Sequence, residues 1–117
     1  MSEGFREFLE EQFAPLTGIS IKSMFGSLGV FRDGTMFALV ADGTLYFRVD
    51  EEDRARYEAD GSEQFVYNGK TRQTTMPYWR APERLFDDAD AFVEWAETAI
   101  ATVVRNKDRK KPKPRRR

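Results

Sequence analysis

Three groups of residues have side chains and spacing that could support chemistry or binding. Tyr78-Trp79-Arg80 places two aromatic rings beside a guanidinium, and this combination can stack on a base or another flat ligand. Asp50-Glu51-Glu52-Asp53 gathers four carboxylates, as a site for a hard cation would. The third group is a C-terminal run of cations that would attract phosphate: Lys107, Arg109, Lys110, Lys111, Lys113, Arg115, Arg116 and Arg117.

Each group also has a structural interpretation. Tyr78-Trp79-Arg80 follows Pro77, which is expected to end a strand, so its rings would fill the core at a crossover from strand to helix. The acidic run suits the first turn of a helix, with Asp50 as the N-cap. Residues 106–117 cannot build a core, so they are expected to form a disordered tail. That tail either contacts nucleic acid without reading its sequence or stays solvated against the rest of the chain.

The sequence has few of the residues that enzymes commonly use for catalysis. The sequence contains neither cysteine nor histidine, which excludes thiolate and imidazole from catalysis and from metal binding. It also has no Ser-x-x-Lys motif, no nucleophile elbow and no pair of carboxylates in an apolar setting. We therefore predict a protein that is not an enzyme and has no cofactor.

Composition indicates a single small domain with an uneven charge distribution. The 117 residues are 40% hydrophobic, enough to form one core at residues 1–105. Nine Lys/Arg and one Asp lie in residues 105–117, whereas the preceding residues carry nineteen Asp/Glu and ten Lys/Arg. No apolar run reaches the roughly 18 residues of a membrane span, and cysteine is absent, so we expect a cytoplasmic protein that does not enter a membrane.

The stretch from Leu28 to Val49 must position whatever surface this protein uses. Asp33-Gly34 and Asp42-Gly43 divide it into three apolar runs. Asp-Gly between such runs is typical of a type I′ turn, which requires positive φ at both central residues. The sequence therefore predicts a three-stranded antiparallel meander. Two-residue turns would pair Val30 with Phe37, Leu28 with Leu39, and Leu39 with Tyr46.

Alternation along these strands predicts apolar side chains on both faces of the sheet. The core face would carry Phe31, Met36, Ala38, Val40, Leu45, Phe47 and Val49. The opposite face would carry Leu28 together with the four residues that we assign to a partner or dimer interface: Val30, Phe37, Leu39 and Tyr46. A solvent face is normally more polar, so we expect a homodimer or a protein partner to cover this side, unless part of the chain itself does so.

The remaining sequence predicts three helices and further strands around this meander. We expect helices at 2–14 and 50–60, strands at 19–25 and 65–67, an edge strand at 71–76 reached through a type I′ turn at Asn68-Gly69, and a final helix from Asp87/Asp88 to Arg105. The final helix has the most regular apolar stripe, formed by Phe92, Trp95, Ala96, Ala99, Ile100 and Val103. The expected fold is α+β, with helices packed on an antiparallel sheet of five to six strands.

Several segments resemble the N-terminal domain of the TfoX/Sxy competence regulators, over roughly residues 5–104. The similar segments are Ser23-Met24-Phe25-Gly26, Gly29-Val30-Phe31, Met36-Phe37-Ala38-Leu39-Val40, Leu45-Tyr46-Phe47-Arg48-Val49-Asp50 and Met76-Pro77-Tyr78-Trp79-Arg80-Ala81-Pro82-Glu83. The resemblance implies a two-layer fold like that of secretion chaperones, which often pair as dimers. It also implies a non-enzymatic role in transcriptional control of competence, with the basic tail standing where full-length regulators carry a second domain. The alternative is a small-molecule-binding domain or enzyme that uses Tyr78, Trp79 and Arg80.

Overall fold

A computed structural model describes residues 3–24 and 27–110 as a helical layer on one antiparallel sheet, which confirms the predicted α+β class. The sheet order is β1-β2-β3-β4-β6-β5. The helices and strands are α1 (Glu3–Gln12), β1 (Ile19–Met24), β2 (Ser27–Arg32), β3 (Thr35–Ala41), β4 (Thr44–Arg48), α2 (Glu51–Ala59), β5 (Gln64–Asn68), β6 (Gln73–Arg80), a 3-10 helix (Glu83–Asp87) and α3 (Ala89–Lys110). No helix in this part of the chain has both the length and the apolar composition needed to cross a membrane.

The two Asp-Gly turns have the predicted geometry. The φ angles are 50° and 86° at Asp33 and Gly34, and 52° and 70° at Asp42 and Gly43. Positive φ at both central positions is the type I′ signature, and it matches the twist of the flanking strands. The predicted β2–β3–β4 meander is therefore confirmed.

Strand register follows the prediction on one side of β3 and departs from it on the other. Leu39 pairs with Tyr46, as expected from the second turn. The first turn pairs Phe31 with Met36, but Val30 then pairs with Ala38 and not with Phe37. One extra residue in β3 creates a bulge at this point. The predicted register between β2 and β3 is wrong beyond Phe31, and Leu28 pairs with Val40 instead of Leu39.

This bulge corrects the predicted faces of the sheet. Val30 and Phe37 are fully buried, and the ring of Phe37 lies 5.8 Å from that of Phe13, which follows α1. Leu28 is buried in the same core. Phe31 and Met36 are only half-buried and alternate onto the opposite face from Phe47. Because a one-residue shift exchanges the faces of a strand, the predicted positions of Leu28, Val30, Phe31, Met36 and Phe37 are all wrong.

The three helices pack on a single face of the sheet. Phe92 of α3 contacts Phe13 and Phe47, with ring centroids 5.0 and 5.9 Å apart. Tyr57 of α2 lies 4.8 Å from Trp95 of α3 and 6.4 Å from Trp79 of β6. The predicted apolar stripe of α3 is confirmed, since all six of its residues are buried: Phe92, Trp95, Ala96, Ala99, Ile100 and Val103.

Helix caps also follow the sequence. The Asp50 carboxylate accepts a hydrogen bond from the Glu52 N–H at 3.1 Å, and Gly61 has the positive φ expected just past the end of α2. The Asp88 carboxylate accepts one from the Ala91 N–H at 3.1 Å. The proposed start of the first helix at Ser2 lies outside the described residues, as does Phe25.

Three predicted boundaries are wrong. β6 continues through Pro77 to Arg80, because Pro77 belongs to residues 76–78 of β6, which lie opposite Phe65 alone, and such an irregularity tolerates a missing N–H donor. Asn68-Gly69 does not form the predicted turn: the loop is residues 69–72, in which the Gly69 N–H donates to the Arg72 carbonyl at 2.9 Å. The last helix runs to Lys110 because no proline or glycine interrupts it after Arg105.

Candidate functional site: the open face of the sheet

The face of the sheet opposite the helices carries an apolar and aromatic surface, which we call the open face. Alternation from the buried residues Ala38, Val40 and Phe47 places Leu39 and Tyr46 there. The bulge adds Phe31 and Met36. The open face comprises Lys22, Phe31, Met36, Leu39, Tyr46, Arg48, Phe65, Tyr78 and Arg80.

An aromatic contact of the open face spans three neighbouring strands. The rings of Tyr46 on β4 and Phe65 on β5 are 4.8 Å apart, although β6 lies between these strands. Tyr78 of β6 pairs with Arg48 of β4. Burial raises the pKa of the Tyr78 phenol above its ordinary value, while the Arg48 guanidinium acts in the opposite direction. Tyr46 and Phe65 are half-buried here, whereas Tyr78 is only 6% exposed.

Lys22 and Arg48 are cations of the open face. The Lys22 Nζ, on the edge strand β1, lies 5.4 Å from the centroid of the Phe31 ring, within cation–π range. Arg48 lies at the end of the central strand β4, and its buried Nε has no hydrogen-bond partner. Leu39 and Met36 on β3 form an apolar part of the face. An apolar patch of this kind, with polar side chains at its edges, suits a protein interface.

Two of the four residues predicted for a partner face lie on the open face. Leu39 and Tyr46 are there and are half-buried, whereas Val30 and Phe37 belong to the core. Sequence reasoning missed Phe31 and Met36, because no short-range pattern signals the bulge that exposes them. It also missed Phe65, although its place beside Val66 and Tyr67 in an apolar run was a signal for a two-sided strand.

Tyr78, Trp79 and Arg80 do not converge on one site. Because they are consecutive residues of β6, Tyr78 and Arg80 alternate onto the open face, where Arg80 pairs with Tyr46, and Trp79 points into the core against Tyr57. Arg80 forms an ion pair with Glu83 at 3.4 Å and lines a shallow cleft of about 570 Å³ together with Phe5 and Phe86. Neither Tyr78 nor Trp79 lines that cleft.

The acidic run at the start of α2 is occupied by a cation of the same chain. The Arg105 guanidinium of α3 donates to the Asp50 carboxylate at 2.7 Å and lies 3.6 Å from Glu52 and 4.0 Å from Asp53. The hydrogen bond to Asp50 raises the pKa of Arg105 further above its ordinary value. This network joins the two helices, so its carboxylates have a structural role.

The predicted nucleic-acid tail divides between α3 and the undescribed C-terminus. Lys107, Arg109 and Lys110 belong to the last turns of α3. The other five cations lie outside the described residues: Lys111, Lys113, Arg115, Arg116 and Arg117.

Comparison with known proteins gives consistent matches along the chain. Residues 11–103 match the family model of the TfoX N-terminal domain. The chain is 34% identical over 113 residues to the DNA transformation protein TfoX1 of Aliivibrio fischeri, covering 93% of this chain and 54% of that protein. It is 27% identical over 106 residues to Protein Sxy of Escherichia coli, covering 91% and 51%. The chain thus spans about half the length of these relatives.

Proposed function

Since the chain belongs to the TfoX N-terminal domain family, we propose that it is a non-enzymatic regulatory module that acts in DNA transformation by binding a protein partner. The link to transformation comes from the name of the relative TfoX1, which this chain matches over about half its length. The partner that best suits its surface is a second copy of the same chain.

One observation supports this proposal above the others: within residues 3–24 and 27–110, no helix covers the half-buried apolar side chains of the open face, and all three helices lie on the opposite face. Met36, Leu39 and Tyr46 lie on its two central strands. Two sheets can pack face to face at a spacing of roughly 10 Å, with interdigitated side chains. A two-fold axis near Leu39 would bring the apolar centres together, so that Lys22 on the edge strand β1 lies at the rim.

An acidic substitution at Leu39 tests the proposed dimer. Leu39→Glu places a charge at the centre of the open face, where its desolvation would oppose association. We expect sedimentation equilibrium to give a dimer for the parent chain and a monomer for Leu39→Glu at the same concentration. Val104→Glu is the matched control, because Val104 is 50% exposed on α3 and the substitution makes the same change on the helical layer.

Two results would contradict the proposed dimer. The first is a parent chain that sediments as a monomer up to the highest soluble concentration. The second is a dimer that Val104→Glu disrupts and Leu39→Glu leaves intact, since association would then use the helices.

A further inference from the structure

The acidic residues of this protein lie outside the strands of the sheet. None of the six strands contains an Asp or a Glu, although the chain has twenty such residues. Four cations among the described side chains have no carboxylate within ion-pair distance: Lys22, Arg48, Lys70 and Arg72. Two of these belong to the open face. The other two, Lys70 and Arg72, lie in the loop that joins β5 and β6.

The β5–β6 hairpin extends past the end of its neighbour β4. Pairing between β4 and β6 begins at Tyr78, whereas Gln73, Thr74 and Thr75 pair only with β5. At about 3.3 Å per residue, residues 73–77 carry the hairpin roughly 16 Å beyond Tyr78. Almost every residue from 66 to 75 is exposed, including Tyr67 at 57%. We call residues 66–75 the ribbon.

The composition of the ribbon suits an anionic partner that can also accept and donate hydrogen bonds. No acidic residue occurs between Glu63 and Glu83. The exposed polar side chains of the ribbon are Asn68, Lys70, Thr71, Arg72, Gln73, Thr74 and Thr75. Arginine and lysine bind phosphate, and these polar side chains are the types that contact phosphates and base edges in DNA grooves.

The dimensions of the ribbon match the major groove of B-DNA. Two strands about 4.8 Å apart, with their side chains, fit a groove about 12 Å wide, and the length of the ribbon exceeds its depth of about 8.5 Å. A two-stranded ribbon is an established way for a protein to enter this groove. We propose that the ribbon is a contact site for duplex DNA, with Lys70 and Arg72 on the phosphates and the neighbouring polar side chains toward the base edges.

The salt dependence of duplex binding tests this site. The parent chain, K70A/R72A, the conservative variant K70R/R72K and the control R32A/R54A are compared by fluorescence anisotropy with a short labelled duplex of mixed sequence, at salt from about 50 to 200 mM. R32A/R54A changes the net charge equally, at positions outside both the ribbon and the open face. Circular dichroism checks that all four chains are folded.

We expect K70A/R72A to bind more weakly and to reduce the slope of log K against log salt by about 1.8, corresponding to two lost phosphate contacts. K70R/R72K should retain the parent slope, because both cations remain. R32A/R54A should stay near the parent value.

Several outcomes would overturn the proposal. One is the absence of duplex binding by the parent chain at low salt, and another is equal slopes for K70A/R72A and R32A/R54A. A third outcome comes from competition experiments. If single-stranded DNA or heparin displaced the labelled duplex as efficiently as unlabelled duplex does, the ribbon would bind any polyanion and would not recognise the groove. If K70A/R72A lost self-association and the parent chain bound no DNA, the ribbon would be a protein contact and not a DNA contact.

Discussion

Phe37 lies at the position where β3 has one residue more than its partner strand, and this residue decides which side chains the helices cover. Phe37 and Ala38 are consecutive and both completely buried, which regular alternation does not permit. The bulge therefore adds a ring to the core and moves Phe31 and Met36 to the open face. A single backbone irregularity thus determines the composition of the proposed interaction surface.

Alanine substitutions at Phe37 and Leu39 should separate the two faces. Phe37→Ala removes a fully buried ring that contacts Phe13, so it should lower the free energy of unfolding by about 3–5 kcal/mol. Leu39→Ala should cost about 1 kcal/mol, because its side chain is only half-buried. Urea unfolding at a protein concentration below the dimer range measures both. Equal losses would mean that Phe37 is not in the core.

The helix α2 shows how an element with few apolar residues is held in place. Tyr57 is its only buried residue and contacts both Trp79 and Trp95. Polar contacts supplement this anchor: Arg56 pairs with Glu94 of α3 at 3.2 Å, and the Asp50 cap accepts from Arg105 at 2.7 Å. The packing of α2 against α3 and β6 therefore depends on the Tyr57 ring and on ion pairs between long, flexible side chains.

Burial of Tyr57 predicts a loss of stability at alkaline pH. Burial raises the pKa of the folded-state phenol well above its ordinary value of 10.0. Below about pH 10 the Tyr57 phenol is neutral in both the folded and the unfolded chain, so its full contribution to stability is present. Above that pH the phenol ionises first in the unfolded chain, which lowers the free energy of unfolding. Tyr57→Phe should reduce this alkaline loss in urea unfolding between about pH 8 and 11. Tyr78, whose pKa is also raised by burial, contributes in the same direction and remains in that variant.

The exposed Tyr67→Phe is the matched control for Tyr57→Phe. If both substitutions reduced the loss of stability at alkaline pH equally, burial of Tyr57 would not be the cause of that loss. If neither changed it, the Tyr57 ring would titrate in the folded protein as it does in the unfolded chain.

At the scale of the whole molecule, the net-anionic helices α1 and α2 lie on one side of the sheet, and described cations without an ion pair lie on the open face and the ribbon. Residues 105–117 contain nine Lys/Arg, and four of these belong to the C-terminal part of α3. An acidic body would repel a nucleic acid, so contacts would have to come from these separated cations. Under the proposed functions, the open face would serve a protein partner and the cations of the ribbon would serve DNA.

Truncation after Lys110 tests the proposal that the tail binds nucleic acid. It removes five cations, so the slope of log K against log salt for duplex binding should fall by up to about 4.5, while dimer formation should not change. A chain of equal length with Gln at these five positions is the control for length. An unchanged slope in both chains would exclude the tail from the contact, whatever the ribbon variants show.

Local chemistry in the sequence by itself determined much of the fold. Asp33-Gly34 and Asp42-Gly43 specify their turns through backbone preference, Asp50 and Asp88 cap helices through adjacent N–H groups, and the stripe of α3 follows the helical period. These features need only residues that are neighbours in the chain.

Tertiary structure decided the features that depend on pairing between distant residues. The bulge at Phe37 arises where β2 and β3 pair, and the passage of β6 through Pro77 depends on the irregular pairing of β6 with β5. The Asp50 carboxylate is paired with Arg105, a residue of another helix. Packing of the helices therefore determined which face of the sheet remains open. The apolar runs of the strands are compatible with a core on either side of the sheet.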